Sequence, residues 1–318
     1  MSNQKKFYTV EELMKREIKE VPKLWKPFFP QTGLAGLTGS SDTGKSTLLR
    51  QLCIAVCYGK NEFLGYPLNP KHRSAIYIST EDCEDAIAAS VRKQLNNLHP
   101  KEVAGLKFVF NQDDPIKTAS DILVKEKVDL LVIDAWADLF SGNINDITQT
   151  RKELNNLKKI AAKHGCLVVI LHHTVKNSEY SRPDKNKLNG SQGIEASLRA
   201  LLELRPGAGT ERILSILKGN YISTQVKNTS LILDLNEDYL LFKTTGKTVE
   251  KNSIAESTRG MYSGNTELVK SIIHLRDEQK LSYPKILEKI TKENPKLDPP
   301  SLSMIKKMYN DNVKGKAA

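Results

Sequence analysis

The octapeptide Gly39-Ser40-Ser41-Asp42-Thr43-Gly44-Lys45-Ser46 fits the pattern G-x-x-x-x-G-K-[ST] at every fixed position, between an apolar strand segment and an apolar-periodic helix segment. Glycines at these points let the backbone bend sharply, so that successive N–H groups and a helix N-terminus converge on one anion. A chain built around such a segment must run strand, tight turn, helix, the opening unit of a largely parallel α/β sheet. Residues 33–38 supply the strand and 47–56 the helix. Lys45 brings a point charge to the β- and γ-phosphates, and Ser46 offers Mg²⁺ a hydroxyl, the oxygen ligand a hard cation takes. The predicted nucleotide contacts are therefore Gly39, Ser40, Ser41, Asp42, Thr43, Gly44, Lys45, Ser46 and Thr47, with ATP and Mg²⁺ as the expected cofactors.

Composition sets the frame. The 318 residues, 39% of them hydrophobic, suffice for one large α/β core and a smaller appendage. A net charge of +11 permits a polyanionic partner without specifying one. Cys53, Cys57, Cys83 and Cys166 form no C-x-x-C pair and have no histidine at zinc spacing, so they read as reduced, mostly buried thiols of a cytoplasmic protein. Residues 1–20 are too polar for a signal peptide, and the longest apolar run, 166–171, is too short to span a bilayer. No membrane partner is expected.

The chain divides into an N-terminal arm (1–32), an ATPase-type domain (33–243), a polar linker (244–264) and a C-terminal helical module (265–318). The arm carries one short helix, 10–19, then a Pro- and aromatic-rich stretch, 21–30, expected to lie extended against the core. Strands are predicted at 75–79, 106–110, 128–134, 167–171, 200–204, 212–218, 230–235 and 239–242, the last two joined as a hairpin. Helical periodicity returns at 266–313 as three short helices with a Ser-Tyr-Pro turn, the pattern of a helix-turn-helix or winged-helix module. That module is mildly basic, with ten lysines and one arginine against seven acidic residues from 266 to 318, a net of +4.

Three further strand ends carry chemistry. The apolar strand 128–134 closes on Asp134, placed to hold Mg²⁺ through its water shell. The strand 75–79 runs into Thr80-Glu81-Asp82, which puts Glu81 at the carboxyl edge where open α/β sheets bind ligands and where a carboxylate can activate water. Asp82 has an alternative use as a helix N-cap. The strand 167–171 ends in His172-His173-Thr174, imidazoles able to hydrogen-bond a γ-phosphate and relay its loss to the following loop.

The order P-loop, strand-end glutamate, aspartate, His-His-Thr resembles the RecA-like ATPases, specifically the RepA-type hexameric replicative helicases related to DnaB. The resemblance covers about 21–242 and includes Pro22-Lys23-Leu24-Trp25, His172-His173-Thr174-Val175-Lys176 and the segment Gly190-Ser191-Gln192-Gly193-Ile194-Glu195-Ala196-Ser197-Leu198-Arg199. It implies a RecA-like core with a mostly parallel sheet, a ring of copies of this chain, expected to be a hexamer, and action on DNA in a plasmid or other mobile element. It matches Glu81 to the catalytic glutamate and His173, or His172 if the register slips by one, to the phosphate sensor. The arginine finger that reaches a neighbour's nucleotide matches Arg199, with Arg205 and Lys218 as competitors. The DNA-contacting loops then fall at 136–146 and 174–190, the second carrying Lys176, Arg182, Lys185 and Lys187 with Tyr180 interleaved, a composition suited to single-stranded phosphate backbone and a stacked base. Duplex DNA would be read by the helix at 300–309. Tyr221 is the candidate to stack on adenine. Departures from the family are the short segment before the core and the added C-terminal module. They leave open a second reading, an ATP-gated DNA-binding regulator or loader that does not translocate. A P-loop kinase is a third, with no acceptor signature to support it.

Overall fold

The structure is a computed structural model. It describes residues 7–110, 114–175, 178, 181–190, 192–254 and 266–293, together with 302, 305, 306, 309 and 310. In chain order the strands are β1 (Lys23–Trp25), β2 (Phe29–Pro30), β3 (Gly33–Gly39), β4 (Glu62–Phe63), β5 (Tyr66–Pro67), β6 (Ala75–Ser79), β7 (Leu106–Phe110), β8 (Leu130–Asp134), β9 (Leu167–His173), β10 (Ala200–Pro206), β11 (Glu211–Gly219), β12 (Thr229–Asn236) and β13 (Leu241–Glu250). The helices of the same unit are α1 (Val10–Met14), α2 (Lys45–Tyr58), α3 (Glu84–Leu95), α4 (Pro115–Lys125), α5 (Trp136–Leu139), α6 (Ile147–His164), α7 (Gln192–Ser197) and α8 (Thr224–Lys227).

Nine strands make one sheet in the order β13-β12-β11-β10-β3-β9-β8-β6-β7. From β10 to β7 neighbouring strands are parallel, and from β10 to β13 they form an antiparallel meander. The central strands read as unbroken apolar runs because both faces are covered. Along β8, Leu130 and Val132 enter one core while Leu131 and Ile133 enter the other, as the period-2 alternation of a strand requires. The first core is closed by α2 through Leu48, Leu49, Leu52, Cys53 and Val56, the second by α4 and α6 through Ala119, Leu123, Leu154, Leu157 and Ala161. Gly44 starts α2 and Gly59 stops it, both left-handed, while the Asp146 carboxylate accepts the Thr148 and Gln149 N–H groups to start α6.

Several boundaries differ from expectation. The arm's helix ends at Met14, and the stretch after it pairs as β1 and β2, burying Leu24, Trp25, Phe28 and Phe29. The predicted linker is corrected over its first part: β13 continues to Glu250 in register with β12, and the compact unit reaches Ile254. Its polar composition reflects an edge strand with most side chains in solvent. Cys53, Cys57 and Cys166 are buried thiols and Cys83 is exposed; burial pushes Cys57 up to about 12.

Residues 255–318 form a second unit. Its helices Thr266–Asp277 and Tyr283–Glu293 share a small core of Ile272, Leu275, Ile286, Ile290 and Ile305. Of the predicted reading helix at 300–309, Leu302, Ile305, Lys306 and Tyr309 are helical and the remainder lies outside the described residues. Among the described residues no helix is long and apolar enough to cross a membrane.

Candidate nucleotide site

The parallel strands β3, β6, β8 and β9 end at one edge, and register brings their terminal residues side by side: Ser79 beside Asp134, Gly39 beside His173. The P-loop leaves this edge. A Cβ on Gly39 (φ 152°) would sit 2.2 Å from the Leu204 carbonyl oxygen, so only glycine fits. The ring of Phe242 packs against Gly44, and the Arg212 guanidinium donates to the Thr43 carbonyl at 3.2 Å. The antiparallel meander thus braces the loop from outside the parallel sheet.

Lys45 is 5% exposed, and its ammonium donates to the Ser40 carbonyl at 2.6 Å. Burial lowers its pKa, while Asp134, Glu81 and Asp42 pull it back up. The ammonium therefore stands among the carboxylates the sequence singled out. Bound phosphate oxygens would give it a stronger partner than the loop's own carbonyl.

Asp134 is buried, and the Tyr77 and Ser46 hydroxyls donate to its carboxylate. Burial pushes its pKa up, and these two hydrogen bonds with the Arg50 charge pull it back. Its Oδ1 has no hydrogen-bond partner among the described residues. An open carboxylate oxygen beside the Ser46 hydroxyl fits Mg²⁺, which takes one or two protein oxygens and completes its shell with phosphate and water. No group of three or more His, Cys, Asp or Glu gathers among the described residues to hold a metal.

Glu81 and His173 meet across the site mouth, Nε2 to Oε1 3.7 Å, both partly exposed. His172 points the other way: it is 2% exposed, its Nε2 lies 2.6 Å from the Asn189 carbonyl, and its ring meets the edge of Trp136. Of the two histidines, only His173 faces the phosphate side. Asp82 neither caps α3 nor faces Lys45; it lies 3.6 Å from Arg50, and Cys83 precedes the helix. Thr80 ties two strand ends together by accepting the Ala135 N–H and donating to Asp138.

Trp136 is a core residue, stacked with Phe140. In the loop at 174–190, Lys185 pairs with Glu195 at 3.2 Å and Lys187 donates to the Ser181 hydroxyl, so both ammoniums are engaged within the protein. Arg182 is exposed, and Lys176 and Tyr180 lie outside the described residues. Arg199 is exposed at the amino end of β10, beside Leu34, at the sheet edge opposite its own P-loop. Lys218 and Tyr221 follow to that same edge, which removes Tyr221 from the adenine of its own subunit. Arg205 is buried against Glu203 at 2.9 Å and is no finger. Sequence reasoning missed Tyr77, Arg50, Arg212 and Phe242; a tyrosine inside the apolar run Ala-Ile-Tyr-Ile was the available signal, because a buried hydroxyl seeks a partner.

A polyphosphate with a divalent ion would give Lys45, Ser46 and Asp134 their partners at once. Fold and site together define a P-loop nucleotide-hydrolysing domain. Residues 3–179 match the family model described as AAA domain, more than half of the chain, and the protein belongs to that family of P-loop ATPases. The matched region holds the P-loop, Glu81, Asp134 and His173, and stops before β10. No curated protein matches the chain.

Proposed function

We propose that the protein is an Mg²⁺-dependent ATPase that assembles as a ring and acts on DNA, as a replicative helicase of the RepA type. The observation that carries this reading is the junction of Glu81 and His173 at the site mouth, with Thr174 and Asn189, near the two ends of the loop at 174–190, hydrogen-bonded to the P-loop and to His173. The Thr174 N–H donates to Gly39 of the P-loop at 3.4 Å, and the Asn189 N–H donates to His173 at 3.1 Å. Lys45 and Ser46 hold phosphate and metal, and Asp134 orders the metal's water shell. Glu81 takes the proton of the attacking water as its oxygen bonds to the γ-phosphorus and the bond to the leaving diphosphate breaks. His173 follows the γ-phosphate and moves the loop. Arg199, at the opposite edge, serves a neighbouring subunit's nucleotide, where a planar, always charged guanidinium meets charge spreading over phosphate oxygens.

The test is steady-state hydrolysis by the wild type and Glu81→Gln with no DNA, single strands or duplex, at two salt concentrations. Single strands are expected to stimulate the wild type, and Glu81→Gln to bind ATP while losing about 10²- to 10⁴-fold in rate. Turnover indifferent to DNA would refute the motor. One observation favours the regulator instead: residues 255–318 form a unit with its own core. If that unit binds duplex DNA, deleting it abolishes ATP-dependent duplex binding and leaves single-strand stimulation unchanged.

A further inference from the structure

Strand β10 reads Ala-Leu-Leu-Glu-Leu-Arg-Pro, and its two charged residues point to the same face two positions apart. Glu203 and Arg205 are 1% and 2% exposed and pair at 2.9 Å. Burying two charges this deeply is weak as a source of stability, because desolvation offsets most of their attraction. The pair therefore needs another reason to be there. Arg205 reaches beyond Glu203 and donates to the Ser181 carbonyl, and within the loop Lys187 donates to the Ser181 hydroxyl, so the pair holds the loop at 181–187 at Ser181, where the loop closes on itself. Lys251, at the end of β13, and Asp184 complete the charged layer, each within electrostatic reach of the other or of Glu203. The same strand meets the nucleotide loop: Glu203 stands beside Thr38 in register, and the Leu204 carbonyl abuts Gly39.

We infer that Glu203 and Arg205 are positioning residues that fasten the loop at 181–187 to the strand beside the P-loop, and so couple DNA engagement to the nucleotide site. Arg205 acts through Ser181, and Glu203 acts through Arg205. The coupling half of this inference rests on the proposed function, whereas the fastening half does not.

The variant Glu203→Leu/Arg205→Met removes both charges together, so neither is left buried alone. Its thermal midpoint controls for folding, and Arg205→Lys, which keeps the charge but not the planar fork, is a second probe. Two readouts are compared with the wild type: trypsin cleavage after Lys185 and Lys187 under native conditions, and ATP hydrolysis with and without single-stranded DNA. The expected result is a folded protein whose loop is cut about tenfold faster, with basal hydrolysis near wild type and stimulation by DNA lost. Unchanged cleavage with unchanged stimulation overturns the inference and leaves a purely structural pair. Faster cleavage with full stimulation overturns the coupling. If the wild type shows no stimulation, the proposed function fails with the coupling, and the cleavage rates alone decide whether the pair fastens the loop.

Discussion

Two adjacent histidines at one strand end have opposite environments, and this makes His172 a pH liability. Its pKa is lowered, first by burial and then by His173, against the opposing pull of the Asn189 carbonyl. An unfolded chain takes up a proton at this residue near its ordinary value of about 6.5, while the folded chain resists it to lower pH. Stability is therefore complete above about pH 6.5 and falls as the pH drops below it, by at most about 1.4 kcal/mol per pH unit for one proton. Denaturant titrations from pH 7.5 to 5 should show a shallower decline in His172→Asn than in the wild type, and parallel slopes would exclude the histidine. The sequence showed that a His-His pair ends β9 but not which ring turns inward. That choice depends on Trp136 and Asn189, residues 36 positions before and 17 after, which only the fold brings to His172.

At the scale of elements, the P-loop is held by more than the strand and helix that contain it. Phe242, the second residue of β13, is 2% exposed, lies against Gly44, and exchanges backbone hydrogen bonds with the Gln51 side chain. Phe242→Ala should cost about 3–5 kcal/mol, seen in chemical denaturation, and weaken ATP binding in a nucleotide titration. Phe242→Leu, which keeps apolar bulk, should retain most of the affinity; equal affinity in all three proteins would show that the brace does not reach the loop. The central strands were legible because burial on both faces demands unbroken apolar runs, and the P-loop because its backbone demands glycine. What escaped was the meander's contribution. Residues 243–250, Lys-Thr-Thr-Gly-Lys-Thr-Val-Glu, carry almost no apolar signal, since an edge strand is held by backbone pairing. The charged pair in β10 was equally hidden: opposite charges two apart in an apolar strand were visible, but their hold on Ser181 was not.

For the whole molecule, the two sheet edges carry different duties. The carboxyl edge assembles Lys45, Asp134, Glu81 and His173, while Arg199 sits at the amino edge, out of reach of its own site. Under the proposed ring, a site is complete only between copies. Lys45→Ala and Arg199→Ala should each be nearly inactive, and an equal mixture should recover roughly a quarter of the wild-type sites if copies assemble head to tail at random. Steady-state hydrolysis of the mixture checks this, and absence of recovery would deny Arg199 a role across the interface. The polar character of β13 has a further consequence. It ends the meander with an outer backbone edge and side chains that include the exposed Lys243 and Lys247, and lysines on such a strand discourage a tenth strand from another molecule. Replacing them with valine or isoleucine would trade a soluble boundary for a template on which chains could stack.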